Sequence, residues 1–324
     1  MNAIRSAGSK FIAIFLAVCL LVPIVPPFES HASANSYYPD YRSKVSGVTV
    51  IPTTGIGAYS NQVIHQINYL ESSTWPGDPD VGKVYWHTTF NDHAERGVPN
   101  LVASTSQLEE QLPNTEWVAL TIGWFLDFDT LSVKPMVEKK EELEVIPISI
   151  YELDEEGEPK EVIYERSIRK NVLIDQNAFK SSVSNGFVYG TPQRYWSVGS
   201  YTRETADLID SSILYGETPS DQEVLEAVNY YKSRGYKVMI YPFLLGYRSD
   251  KPWRGRLTLP SVAAVNSFMA KSDGYNAFIK HYVDLLKNEN IDGFLVGSEM
   301  EGLTFSGAPD YPAVDHLINS TFAP

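Results

Sequence analysis

Residues 220–245 read SDQEVLEAVNYYKSRGYKVMIYPFLL, and this stretch decides the fold. Ser220 and Glu223 have capping-box spacing: the hydroxyl accepts a first-turn backbone N–H and the carboxylate reaches back to the cap. Val224, Leu225, Val228 and Tyr231 follow at helical spacing. Gly235 ends the helix, because glycine tolerates the left-handed backbone that closes a last turn. Lys237–Leu245 (KVMIYPFLL) is then a short apolar run, read as a strand. A capped helix turning directly into an apolar strand is the building block of a parallel βα fold.

The same cycle extends in both directions. Downstream, the spacing predicts a helix over Tyr275–Lys287, a break at Asn288–Asn290 and the strand Ile291–Val296 (IDGFLV). A last helix is predicted over Pro312–Asn319. Upstream, Val45–Ile51 (VSGVTVI) is a strand stopped by Pro52 and Gly55. Ser106–Leu112 is a short helix broken by Pro113 and Asn114, and Trp117–Leu126 (WVALTIGWFL) is a buried strand. Such near-continuous apolar strands are expected to be covered on both faces. The fold class is therefore α/β with a parallel sheet. Glu141–Ile168 interrupts the cycle with two alternating stretches around Asp154-Glu155-Glu156-Gly157, which reads as an inserted, peripheral β-hairpin. Residues 71–104, rich in Gly, Pro, Asp and His, read as a long loop. No internal repeat or low-complexity linker divides the chain.

Residues 1–34 have the anatomy of a secretory signal: Arg5 and Lys10, the apolar stretch Phe11–Val25, and a small-residue cleavage site at Ala32-Ser33-Ala34. The apolar stretch is shorter than the roughly 20 residues that span a bilayer, and Pro23, Pro26 and Pro27 break its end. Export with cleavage is thus expected over an uncleaved anchor. Cys19, the only cysteine, lies inside this segment, and Val18 before it does not suit a lipoprotein site. The mature chain then has no disulfide, thiolate metal site or cysteine nucleophile, and its core alone must stabilise it.

Composition narrows the function classes. At 43% apolar and 12% aromatic over 324 residues, the chain can bury a sizeable core and is not disordered. Lys+Arg of 26 against Asp+Glu of 40 gives a formal charge of −14, which disfavours a general nucleic-acid or anionic-membrane surface.

In parallel α/β folds, ligands gather at the C-terminal ends of the strands. Three of those ends carry reactive side chains. Asp127 and Asp129 follow the 117–126 strand; Tyr247-Arg248-Ser249-Asp250 and Trp253-Arg254-Gly255-Arg256 follow the 237–245 strand; Gly297-Ser298-Glu299-Met300-Glu301 follows the 291–296 strand. Glu299 is placed to act as a general acid, or alternatively as a solvated glutamate opening a loop; Glu301 stands two positions on. Trp253, Arg254 and Arg256 combine an aromatic plate with two guanidinium groups, fit to stack on a sugar and hold its oxygens, or equally to form a salt-bridged loop. Trp124 and Tyr241 are further substrate-binding candidates, and Trp86 and Trp196 further stacking candidates, although tryptophan is also common in cores.

Other chemistries find less support. His65, His87, His93, His281 and His316 form no compact ligand set, so no metal or other cofactor is expected. Gly-x-Ser-x-Gly and Walker loops are absent, and Thr54-Gly55-Ile56-Gly57 is too short for a dinucleotide fingerprint. Asn319-Ser320-Thr321 matches the glycosylation triplet, which matters only in a eukaryotic secretory route.

Several stretches, in order across roughly 45–318, resemble the TIM-barrel-like, glycoside-hydrolase-like domain of gene-transfer-agent and phage tail hub proteins. They are Val50-Ile51-Pro52-Thr53-Thr54-Gly55, Leu112-Pro113-Asn114, Ile122-Gly123-Trp124-Phe125 and Tyr215-Gly216-Glu217-Thr218-Pro219-Ser220-Asp221. Further on stand Tyr241-Pro242-Phe243-Leu244, Pro252-Trp253-Arg254-Gly255-Arg256-Leu257-Thr258 and Asp292–Thr304 (DGFLVGSEMEGLT). The resemblance implies a (β/α) barrel related to retaining glycosidases, of which residues 45–320 hold the first half, with an insertion at about 138–190. It also implies that the glutamate after the fourth strand, here Glu299, is the acid/base. The implied substrate is a cell-envelope polysaccharide such as peptidoglycan. The second carboxylate would be Glu301, Asp127 or Asp129. The alternative is an inactive, truncated remnant that binds glycan or serves in a tail-type assembly, its open sheet edges covered by self-association or by a partner chain.

Overall fold

The computed structural model describes residues 41–51, 54–71, 83–140, 142–170, 172–177, 179–180, 195–209, 216–247 and 253–321. The described residues from Arg42 onward belong to one compact unit. The signal-like stretch Phe11–Val25, the cleavage site and Cys19 lie outside the described residues, as do Arg248, Ser249 and Asp250.

That unit is built on a parallel sheet. Its strands are β1 (Gly47–Val50), β4 (Trp117–Asp127), β13 (Lys237–Gly246) and β14 (Gly293–Phe294), in the order β1-β4-β13-β14. Trp117 is in register with both Gly47 and Lys237, and the β4–β13 pairing runs without a break to Leu126↔Gly246. Spatial order equals chain order, which is the arrangement of consecutive βα units in a barrel. The architecture is that of a partial (β/α) barrel.

Helices link these strands: α1 (Asn100–Gln111), α2 (Asp221–Ser233), and α3 (Val262–Ala270) with α4 (Tyr275–Leu286). In α2 the capping box forms as the sequence predicts, with Ser220 Oγ accepting from Glu223 N at 3.2 Å and the Glu223 carboxylate accepting from Ser220 N at 3.1 Å. Such a cap stabilises a helix by about 1 kcal/mol. The stripe Glu223, Val224, Ala227, Val228 and Tyr231 is buried. Tyr231 Oη lies 3.0 Å from Thr105 Oγ1 of α1, and burial pushes its hydroxyl pKa up to about 12.

One core holds the helices against the even-numbered side of the strands, where Val118, Leu120, Ile122, Trp124, Val238, Ile240 and Leu244 are all buried. The expectation that the strands are covered on both faces holds in part: on the odd-numbered side Phe125 is buried against Met136 and Ile209, while Thr121, Gly123, Tyr241 and Phe243 stay half-buried. Their apolar runs look alike at every position, yet the helices pack on one side only.

Around this sheet lie peripheral elements. β2 (Ile64–Glu71), β3 (Lys83–Thr89) and β9 (Val172–Asp175) make an antiparallel sheet, β3-β2-β9. The hairpin of the insertion is β7 (Glu142–Leu153) and β8 (Pro159–Lys170), paired over their whole length. Short pairings join β5 (Ser132–Lys134) to β4, β6 (Met136–Val137) to β12 (Asp207–Leu208), and β10 (Ser197–Val198) to β11 (Tyr201–Thr202).

Four further expectations are corrected. Residues 71–104 are not one loop: they contain β3 and the start of α1, and only 72–82 lie outside the described residues. β3 takes its form from a partner, β2, that local patterning cannot reveal. The helix at Ser106–Leu112 begins earlier, just after Pro99, because Leu101 and Thr105 already supply its buried side. The strand at Ile291–Val296 is regular only over Gly293–Phe294, although Asp292 N and Leu295 N still bond Val238 O and Ile240 O at 2.8 and 2.9 Å. The final helix, predicted over Pro312–Asn319, is α-helical as far as His316 and continues as a wider turn over Leu317–Thr321.

Candidate functional site

The ends of β13 and β14 bring one cluster together. Beyond β13 the chain makes a single helical turn at Arg254–Arg256. Trp253 lays its indole across Gly255, where an added Cβ would fall 2.5 Å from the ring carbons. Beyond β14, α5 (Glu301–Phe305) presses on the same turn: a Cβ on Gly302 would stand 2.6 Å from Leu257 O and 2.7 Å from Gly255 O. Gly302 therefore lets the two strand-end loops touch backbone to backbone, and Gly255 seats the indole of its own loop.

Between those loops stands Glu299. Its backbone is left-handed, with φ +52°, a conformation rare for a residue with a side chain. Glu299 Oε2 accepts a 2.7 Å hydrogen bond from Trp253 Nε1 and lies 3.1 Å from Arg254 Nη2. The Arg254 contact is an ion pair rather than a well-aligned hydrogen bond, since Nη2 is buried without a partner of bonding geometry. Arg254 is itself only 6% exposed, while the Glu299 side chain is 52% exposed. The guanidinium rests 3.6 Å from the Phe243 ring centroid, and its Nε donates to Ser298 O at 3.0 Å. Cation–π contact and that carbonyl fix the arginine, and the arginine fixes the carboxylate.

The half-buried face of β13 continues the cluster downward. Tyr241 Oη bonds Ser298 Oγ, and the Tyr241 ring meets Phe243 edge-on at 5.6 Å. Tyr275 Oη donates to Val296 O at 2.7 Å, and burial raises its hydroxyl pKa well above the ordinary range. Glu299 is thus an exposed carboxylate on a backbone braced from three sides.

The remaining sequence candidates separate. Trp253 is exposed, at 46%, and stands beside Glu299. Arg256 is exposed on the same turn, and Glu301 is exposed as the first residue of α5. Tyr241 joins the cluster through Ser298. Asp127 is buried and belongs to a turn: its Oδ1 accepts from the backbone N–H of Asp129 at 2.8 Å and Thr130 at 3.3 Å, and its Oδ2 lies 3.4 Å from Tyr247 Oη. Trp124 packs in the core, donating to Tyr282 Oη at 2.8 Å, with Phe278 and His281 against its ring. Trp196 is likewise buried, its Nε1 donating to Thr218 O at 2.8 Å. The side chains of Trp86 and His87 lie outside the described residues.

A second polar group, not singled out from the sequence, lies near the end of β1. Arg203 and Glu217 form a buried bidentate pair, with contacts of 2.8 and 2.7 Å. Glu138 sits next to it, its carboxylate over Gly55, 3.2 Å from where a Cβ would be. Shielding of that carboxylate and the charge of Glu217 push its pKa up, against opposing pulls from Lys139 and Arg203. Capture of a glutamate by an arginine fourteen residues earlier leaves no local signal. Among the described residues, no group of three or more His, Cys, Asp or Glu is arranged to hold a metal ion.

Comparison with known proteins adds a family. Residues 194–305, which include the whole Trp253–Arg254–Glu299 cluster, match the family model of Glycoside Hydrolase Family 113. This segment is glycoside-hydrolase-like in sequence. Two solved structures also match, described as a GH113 β-1,4-mannanase and a complex of such a mannanase. Each is 14% identical, with TM-scores of 0.29 for the complex and 0.28 for the other, and the match covers 62% of this chain. The chain spans 40% of the length of those structures. No curated protein matches the sequence.

Proposed function

We propose that this chain is a glycoside-hydrolase-like protein that acts on a cell-envelope glycan, with Glu299 as general acid/base. The observation that carries the reading is the setting of Glu299: an exposed carboxylate, held at φ +52° and gripped by Trp253 and Arg254. Left-handed backbone at a side-chain-bearing residue costs about 1–3 kcal/mol, and such strain gathers at functional sites. The Family 113 match over the same residues supports the reading from sequence.

Glycosidic cleavage needs a carboxyl group that gives its proton to the leaving oxygen and then takes one from water. Glu299 fills that role, while the exposed Trp253 ring offers a stacking plate and Arg256 a donor for sugar hydroxyls. Retention requires a second carboxylate about 5–5.5 Å away, and inversion one about 6.5–9.5 Å away. Glu301 is the nearest in sequence; Asp127 is the weaker choice because its Oδ1 already caps a turn. Export through residues 1–34 would bring the protein to its substrate. The test is hydrolysis of purified peptidoglycan, and of β-1,4-mannan, the polymer of the matched structures, by wild type and Glu299→Gln. Release of reducing ends by wild type alone supports the reading.

A second reading is a non-catalytic glycan-binding or tail-type assembly protein. The apolar stretch that runs from β14 to Val296 favours it, since Phe294, Leu295 and Val296 remain half-exposed. Glycan binding by wild type without any turnover would select this reading.

A further inference from the structure

We propose that the outer side of α2 carries a second glycan-binding site, separate from Glu299, that holds uncharged sugar units of the polymer. Its residues come from one helical stripe. Gln222, Leu225, Glu226, Asn229, Tyr230 and Ser233 recur at steps of one, three and four residues, so they share one side of α2 while Val224, Ala227, Val228 and Tyr231 enter the core. Asn61 faces that stripe across a groove of about 410 Å³. Ligand sites ordinarily enclose about 300–1,000 Å³.

The wall opposite α2 is fixed in advance. Ser60 N donates to Gly57 O at 3.1 Å and closes a turn. Tyr59 Oη donates to Thr121 O of β4 at 2.7 Å, which ties that turn to the sheet. Ser60 Oγ reaches Glu226 Oε2 at 3.4 Å, which ties it to the helix. Asn61 is thus held in place without a ligand, and a preformed wall loses little freedom when one binds.

The lining selects the class of ligand. Asn61, Gln222 and Asn229 are exposed, and each carboxamide both donates and accepts hydrogen bonds, as sugar hydroxyls do. Leu225 and Tyr230 are half-buried and supply apolar surface. Tyr230 Oη is buried, so the groove meets the ring rather than the hydroxyl. No Lys, Arg or His is among the described residues that line the groove, which leaves a phosphate or carboxylate without a counter-charge. Arg234 lies 4.9 Å from the centre of the Tyr230 ring, but its Nη1 donates to both oxygens of Glu109 at 2.8 and 3.0 Å. The carboxylate of Glu226 accepts from Gln222 Nε2 at 2.8 Å as well as from Ser60. A pyranose matches what remains: its hydroxyls meet the amides and its C–H face rests on Tyr230 and Leu225.

This groove runs along a helix of the outer layer, whereas Glu299 stands beyond the end of β14. Two glycan contacts on one chain keep the polymer near the protein when either lets go, which raises the effective concentration at the other. The inference rests on the reading of this chain as glycan-directed, but on none of the residues that would cleave.

The experiment is a pull-down of the full chain on purified peptidoglycan and on β-1,4-mannan. It compares wild type, Glu299→Gln and the double variant Asn61→Ala with Asn229→Ala, each with its melting temperature and its release of reducing ends. Wild type and Glu299→Gln should be retained alike by at least one polymer. The double variant should be retained about tenfold more weakly on that polymer, two amide contacts being lost. Its melting temperature should stay that of wild type, because both side chains are exposed. Equal retention of the double variant and wild type, or no retention of wild type on either polymer, would overturn the proposal. Weakened retention of the double variant without any cleavage by wild type upholds the groove and removes the hydrolase reading. Cleavage by wild type with retention unchanged in the double variant does the reverse.

Discussion

Trp253 Nε1 lies 2.7 Å from Glu299 Oε2, joining the loop after β13 to the loop after β14. The bond runs between residues 46 apart in sequence, and it ties the one exposed ring of the cluster to its one exposed carboxylate. Because Arg254 meets the same oxygen, Oε2 is the anchored end of the carboxylate.

Trp253→Phe separates the ring from its N–H. The phenyl group keeps a stacking surface, while the bond to Glu299 is lost. A hydrogen bond of this kind contributes about 0.5–1.5 kcal/mol, so turnover should fall about two- to tenfold with a smaller effect on substrate affinity. Steady-state kinetics on the soluble glycan separate the two. A change in KM alone would mean that the indole N–H does not position Glu299.

Gly255→Ala tests the seat of the indole. The new methyl would stand 2.5 Å from the ring carbons, so Trp253 must lift away from Glu299. Overpacking of this kind costs about 1–3 kcal/mol. Thermal unfolding should shift downward, and the tryptophan emission should change. An unaltered melt would show that the ring is not seated there.

Glu138→Gln carries a pH signature. Shielding and the Glu217 charge raise the folded-state pKa of Glu138 above that of the unfolded chain. Its contribution to stability is therefore fully present below the unfolded value and is lost as pH rises through the folded one. At neutral pH the ionised carboxylate is a burden that glutamine removes. The variant should melt higher than wild type at pH 7, and the difference should vanish in acid. A variant less stable at pH 7 would show that attraction to Lys139 and Arg203 dominates instead.

Much of the frame was legible because it rests on local rules. The Ser220–Glu223 box, the stop at Gly235 and the runs at 117–126 and 237–245 need only neighbours in sequence, and all form. The hairpin around Asp154–Gly157 was legible for the same reason. β3 was not, because its form comes from pairing with β2, which local patterning does not reveal. At the site, the strand-end rule brought out Trp253, Arg254 and Glu299 together. It could not tell Trp124, which points to the helices, from Tyr241, which lies on the other side of the sheet, because strand parity relative to the core emerges only on packing. Asp127 is ambiguous in a similar way: a carboxylate at a strand end suits catalysis and turn capping alike, and its Oδ1 is seen to hold the turn to Asp129 and Thr130 only in the fold.

The central claim is that Glu299 is the acid/base of a glycan-cleaving site. The most direct measurement is reducing-end release from purified wall glycan, run beside a pull-down on the same polymer, for wild type and Glu299→Gln. The account predicts that wild type cleaves, that the variant loses at least about a hundredfold in rate, and that both bind the polymer alike. Equal cleavage by the two proteins, or binding without cleavage by wild type, would contradict it.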